Sequence, residues 1–164
     1  MKPPNTEAYA ILRKHLAYLL SDRGAHADFN AAVARLPVSL RGARRARVPY
    51  TAWQLVEHMR IAQWDILEFS RNAAHVSPEW PAGYWPGSST PPSDRAWNTS
   101  VRAFRADLQA MVALVSNPAT DLFGRIPHGD GQTILREALL LADHNAYHLG
   151  QLVMLRKLLG AWKG

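Results

Sequence analysis

The sequence predicts an all-α fold: a four-helix bundle with one extra short helix and a long crossover loop rich in proline and glycine. Three observations predict it. Apolar residues recur at the helical period in four long segments. The connections between those segments are rich in Pro and Gly, which end helices. No run of alternating strand-like residues and no internal repeat breaks the pattern. At 164 residues and 48% apolar content the chain suits a single domain, residues 1–164, with a core of ordinary size.

The first long helix is predicted over residues 6–20, with Ala8, Ile11, Leu12, Leu16 and Leu19 on one side. A break at Ser21, Asp22, Arg23 and Gly24 follows. A short helix over 25–36 then turns Phe29, Val33 and Leu36 inward before Pro37 ends it. Thr51 caps the second long helix, which reaches about residue 71, because its hydroxyl can accept from the free amides of the first turn. Residues 72–92 hold five prolines, two glycines and the aromatics Trp80, Tyr84 and Trp85, a composition that excludes helix and suits an ordered, packed crossover. Ser93 or Asp94 opens the third long helix, which carries Ala96, Trp97, Val101, Phe104, Leu108, Met111, Val112 and Val115 to about residue 116. Asn117 and Pro118 close it. After a loop with Pro127, Gly129 and Gly131, the fourth long helix spans 133–159 and Gly160 terminates it. Four long helices make a bundle.

Composition removes several function classes. The chain has no cysteine, so disulfides, thiolate zinc sites, iron-sulfur clusters and a Cys nucleophile are excluded, and any metal must sit on His, Asp or Glu. The start, Met1, Lys2, Pro3 and Pro4, lacks a signal-peptide core, since Arg13, Lys14 and His15 break the apolar stretch behind it. No segment approaches the roughly 18 apolar residues of a membrane span. A cytoplasmic protein without membrane contact is expected. The formal charge is +6, and 15 of the 19 basic residues are Arg, which fits an acidic partner such as nucleic acid or a GC-rich coding bias. The densest cluster, Arg41, Arg44, Arg45 and Arg47, lies between Pro37 and Pro49 and reads better as a solvated loop than as a nucleic-acid surface; no recognition motif accompanies it.

The chemistry concentrates in histidines. In the fourth long helix, residues four apart differ by about 40° around the axis and about 6 Å along it, so His144 and His148 project from one face. They lie on the apolar seam, where Ile134, Leu141, His148 and Leu155 form one row and His144, Gln151 and Leu158 the next. In the second long helix the inward positions read Leu55, His58, Ala62, Ile66 and Phe69, which puts His58 where an aliphatic residue belongs. An unsatisfied buried imidazole costs on the order of 1 to 3 kcal/mol, so the site must supply a partner. Either the three are core groups hydrogen-bonded to other side chains or backbone, or they share one divalent ion. Three imidazoles on two facing helices can define a metal site with open coordination positions. His15, His26, His75 and His128 are assigned to surfaces or loops, with His26 near enough to the Gly24 break to reach a pocket mouth.

The run Asp143, His144, Asn145, Ala146, Tyr147, His148, Leu149, Gly150, Gln151 and Leu152, preceded by His58, resembles the DinB/YfiT-like metalloenzymes. The order of the three histidines and the Gly-Gln-Leu tail both match. The likeness in helix order covers nearly the whole chain, whereas the motif itself is confined to two helices. The resemblance implies up-down-down-up connectivity, frequent dimerisation, and a nickel, zinc or similar ion on three ligands, which carry over onto His58, His144 and His148. Some relatives that use a low-molecular-weight thiol as co-substrate replace one His by Glu. This chain keeps three His, so the resemblance does not assign a thiol.

Such a site makes a metal-dependent enzyme the leading reading, a hydrolase or a thiol-dependent transferase acting on a small molecule, with the ion lowering the pKa of a bound water or thiol. Two further residues are candidates for catalysis. Gln151, one turn beyond His148, can orient a ligand or make a helix-helix hydrogen bond; Asp65, two turns beyond His58, can act as base or outer acceptor or sit in a surface or cap role. Glu57 and Asp143 precede ligands, turn about 100° away and face solvent. Trp80, Tyr84 and Trp85 form a pocket wall, a dimer contact or plain loop packing. The rival readings are a stress-response module that meets nucleic acid through its basic face, and an oligomeric metal-binding protein without catalysis.

Overall fold

The computed structural model describes residues 6–21 and 24–162, and among them every long element is a helix. Five α-helices follow in order: α1 (Thr6–Ser21), α2 (Phe29–Val33), α3 (Ala52–Arg71), α4 (Asp94–Ser116) and α5 (Ile134–Leu158). Two 3₁₀ turns, Val38–Leu40 and Ala82–Tyr84, punctuate the loops. Met1 to Pro4, and Asp22 and Arg23 of the expected break, lie outside the described residues.

The helix starts follow from side chains that accept from free amides. The Thr51 hydroxyl accepts from the Gln54 amide while the Gln54 side chain accepts from the Thr51 amide, a reciprocal capping box. Ser93 caps α4 through the Ala96 amide, and Thr133 caps α5 through the Arg136 amide. Past the end of α5, Gly160 takes φ 68°, the left-handed conformation that stops a helix with least strain.

Cross-helix contacts fix the directions. His58 meets His148 and Gln63 meets Asn145, so residue numbers rise along α3 as they fall along α5, and the two are antiparallel. Glu57 meets Ser100 and Gln63 meets the Phe104 carbonyl, so α3 and α4 are parallel. Arg13 reaches the carbonyl of Val115, whereas Leu20 shares a small cavity with Phe104 and Leu108, so α1 is antiparallel to α4. The bundle is therefore up-down-down-up. Because α3 and α4 run the same way, the chain must travel back about 30 Å between them, the length of a 20-residue helix. The crossover over residues 72–92 makes that return.

The interior has two apolar halves. One holds Phe29, Trp53, Met59, Trp97, Phe104 and Leu152. The other holds Leu16, Leu67, Met111, Leu141 and, from the loop between α4 and α5, Leu122 and Ile126. Between the halves lies a polar waist. The fully buried Gln63 donates to the Phe104 carbonyl at 2.6 Å and accepts from Asn145 at 3.0 Å. Polar groups at this depth are tolerated only when paired, and Gln63 is.

Two expectations need correction. The short helix is not 25–36 but Phe29–Val33: the Asp28 carboxylate accepts from the Ala31 amide, which sets the start, and Arg35 at φ 52° ends the helical path before Leu36. The inner face of α1 is also different. Ile11 and Leu19 are half exposed, at 50% and 55%, and Ala8 is exposed, while Leu16 and Leu20 are buried. Arg13 is drawn inward to donate to the carbonyls of Val115 and Thr120, turning the helix about its axis.

Thr51 is fully buried, and its hydroxyl also donates to the Ser89 carbonyl of the crossover at 2.6 Å. Thr51→Ala is therefore expected to lower stability in urea unfolding by about 2 kcal/mol, the upper range for a cap, with the helical content of the native state unchanged.

Candidate metal centre

Near the polar waist, α3 contributes His58 and α5 contributes His144 and His148, one turn apart. His58 and His148 are buried and His144 is half-buried. Their ring nitrogens converge: Nε2 of His58 lies 3.1 Å from Nε2 of His148 and 3.1 Å from Nε2 of His144. One donor atom from each ring falls within 4.8 Å of the others.

The hydrogen positions follow from the outer partners. His58 Nδ1 is 2.9 Å from the Tyr84 backbone carbonyl, which can only accept, so Nδ1 carries the hydrogen. His148 Nδ1 likewise donates to Gln151 Oε1 at 2.9 Å. Burial keeps all three imidazoles neutral at pH 7. It pushes His58 below the ordinary histidine range, with the Tyr84 hydrogen bond opposing and the nearby His148 adding to the fall. It pushes His148 down as well, against the Gln151 hydrogen bond. His144 falls to about 4, through burial first and then the proximity of His148 and His58, with the adjacent Asn145 side chain opposing.

In the neutral state the Nε2 atoms of His58 and His148 are therefore bare lone pairs facing each other at 3.1 Å. His144 has one hydrogen for two nitrogens. Placed on Nε2, it serves His58 but leaves His148 unserved and His144 Nδ1 bare, and that Nδ1 is buried without a well-formed hydrogen bond. Placed on Nδ1, it leaves three lone pairs aimed at one region. A single cation satisfies all three at once. Nitrogen ligands sit about 2.0 to 2.1 Å from zinc, so two of them in a tetrahedral sphere lie about 3.3 Å apart. The two spacings from His58, 3.1 Å to each partner ring, fit that sphere, and the whole set lies within 4.8 Å. Among the described residues no carboxylate or fourth imidazole joins this group.

The family model of the DinB superfamily matches residues 22–152, which includes all three histidines. The chain belongs to the DinB superfamily. No curated protein and no solved structure matches it.

Around this DinB centre the crossover supplies one wall. The Trp85 ring lies parallel over His58, with centroids 3.9 Å apart, and Tyr50 stacks on Trp85 at 4.3 Å. Tyr147 stands edge-on to His148 at 4.9 Å. Of the three aromatics singled out in the sequence, Trp85 is thus a wall of the site and Tyr84 its hydrogen-bond acceptor, whereas Trp80 is 73% exposed.

The other candidates fall as follows. Gln151 bonds along its own helix to His148, not across to another helix. Asp65 is buried, not superficial, and its two oxygens accept from His75 Nε2 at 2.7 Å and from the Tyr84 hydroxyl at 2.5 Å. His75 belongs to the crossover, but its side chain is only 5% exposed, because it fills the space between Asp65 and the Trp64 ring. Spacing could not reveal that pairing, since it depends on how a proline-rich loop folds back. Glu57 faces α4 instead of solvent: it accepts from the Ser100 hydroxyl at 2.5 Å and pairs with Arg60. Asp143, His15 and His128 are exposed, as expected. His26 is exposed and borders a small cavity on the Asn145 side of α5, lined by Phe29, Phe104 and Leu149. Arg44, Arg45 and Arg47 are exposed, but Arg41 lies 4.8 Å over the Trp97 ring and pairs with Asp94, which thins the basic cluster. Among the described residues no helix is long and apolar enough to cross a membrane.

Lowered histidine pKa values make metal-free stability depend on pH with a definite sign. Between the ordinary value of 6.5 and the native value of about 4 for His144, the unfolded chain binds more protons than the native one, so stability falls as pH falls through that window. In the presence of chelator, the melting temperature is expected to drop from pH 6.5 towards pH 4. The drop should be shallower in His144→Ala than in the parent chain.

Proposed function

We propose that this DinB-superfamily protein is a metal-dependent enzyme, a hydrolase or a thiol-dependent transferase, acting on a small molecule at a nickel or zinc ion held by His58, His144 and His148. The observation that carries the reading is the convergence of three imidazoles, with His58 Nε2 lying 3.1 Å from Nε2 of both His144 and His148 and one donor atom of each ring within 4.8 Å of the others. Three protein ligands are the number found in catalytic zinc sites, where a further position serves water or substrate. When bound there, the ion would act as a Lewis acid that makes a water or thiol nucleophilic near neutral pH.

The chain's own residues prepare the site. Tyr84 and Gln151 hold the rings of His58 and His148 with Nε2 free. Because the Gln151 oxygen is engaged by His148, its amide hydrogens are what remain to orient a ligand. Trp85 and Tyr50 shield His58 from water on one face, which strengthens electrostatic interactions within the site. We read the oligomer as a homodimer: Ile11 and Tyr18 on α1, and Leu139, Tyr147, Met154 and Leu158 on α5, are exposed apolar side chains on helices that already pack together.

Tag-free protein purified without chelator is expected to carry close to one nickel or zinc per chain by elemental analysis. Metal added to stripped protein should raise the melting temperature by roughly 5 to 15 °C at 100 to 1,000 times Kd. Replacing all three histidines by Ala should abolish both effects and leave a helical circular dichroism spectrum. Metal-free protein with no thermal response to either ion would falsify the reading. Gln151→Leu is expected to weaken metal affinity about 10- to 100-fold by releasing His148 Nδ1, as read by chelator competition.

A further inference from the structure

Asp65 is a buried carboxylate seven residues beyond His58 on α3. A carboxylate in such a place is tolerated only when donors surround it. Here each oxygen has one donor, and both come from the crossover: His75 Nε2 at 2.7 Å and the Tyr84 hydroxyl at 2.5 Å. The two donors stand nine residues apart in a segment that spans the gap between parallel helices, so Asp65 is the point where α3 grips its own return loop. Its oxygens are both engaged, and it lies outside the three-histidine group.

Tyr84 is held at both ends. Its hydroxyl donates to Asp65, and its backbone carbonyl accepts from His58 Nδ1 at 2.9 Å. The next residue, Trp85, lies flat on the His58 ring. A shift of the loop at Tyr84 would therefore free His58 Nδ1 and uncover the ring together. We propose that Asp65 is a positioning residue for the metal centre: by seating Tyr84 and His75 it holds the Tyr84 carbonyl on His58 and so fixes the tautomer that leaves Nε2 bare. This role rests on the three-histidine reading, but the tautomer exists whether or not an ion is present.

The test uses full-length, ¹⁵N-labelled, metal-free protein, with the histidine ring nitrogens observed by NMR and His58 assigned by the loss of its signals in His58→Ala. The parent chain is expected to show a single His58 tautomer with the hydrogen on Nδ1. Asp65→Ala should show a mixture of both tautomers, and zinc affinity by chelator competition should fall about 10- to 100-fold. Tyr84→Phe, which removes one of the two donors, should shift the tautomer ratio the same way, and it decides the matter if Asp65→Ala does not fold. Ser70→Ala, which removes a buried hydroxyl bonded within α3, should change neither reading. A folded Asp65→Ala or Tyr84→Phe protein with the parent's His58 tautomer overturns the proposal. A shifted tautomer in a chain that binds no zinc supports the role of Asp65 and refutes the metal reading instead.

Discussion

Two neutral imidazoles that point bare nitrogens at each other across 3.1 Å, with a third 3.1 Å from one of them, are an electrostatic demand built into the interior. Lone pairs repel at that distance, and burial denies them water. Each neighbour of the rings answers to that demand. The Tyr84 carbonyl and the Gln151 carboxamide occupy Nδ1 of two of them and so force the third dimension of the problem, the orientation of Nε2, inward. Desolvation then keeps the rings from relieving the conflict by taking up protons near neutral pH.

The bundle's connectivity and its site are one arrangement. Parallel α3 and α4 require a long return loop, and a loop of that length passes over the side of α3 that bears His58 and Asp65. The prolines that keep residues 72–92 from helix also stiffen the segment that presents Tyr84 and Trp85. Antiparallel α5 brings His144 and His148 to the level of His58 from the opposite direction. The polar waist of Gln63 and Asn145 lies beside this level, between the two apolar halves of the core.

Local chemistry was readable from residues, and tertiary pairing was not. Thr51, Ser93, Thr133 and Gly160 mark helix ends because capping depends on a few neighbouring atoms. The three histidines stand out because they interrupt apolar rows whose period is set by the helix itself. The α1 face is ambiguous in the sequence because Ile11, Leu12, Leu16, Leu19 and Leu20 leave two overlapping stripes, and the choice between them is made by Arg13 reaching the Val115 carbonyl of α4. The short helix is shorter than its apolar period because the Asp28 cap sets its start and the extended Ala34 and left-handed Arg35 end it. Spacing alone places His75 and Glu57 in solvent because their partners, Asp65 and Ser100, are 10 and 43 residues away. Membership of the DinB superfamily follows from a match over residues 22–152, and the motif in α5 that carries the resemblance lies inside that span.

The central claim is most directly tested by diffraction from crystals grown with zinc, with anomalous data collected on both sides of the zinc absorption edge. The account predicts one edge-dependent peak about 2.0 to 2.1 Å from Nε2 of His58, His144 and His148, with each Nδ1 turned away from it. A peak located elsewhere, or rings that bind through Nδ1 after breaking from Tyr84 and Gln151, contradicts it.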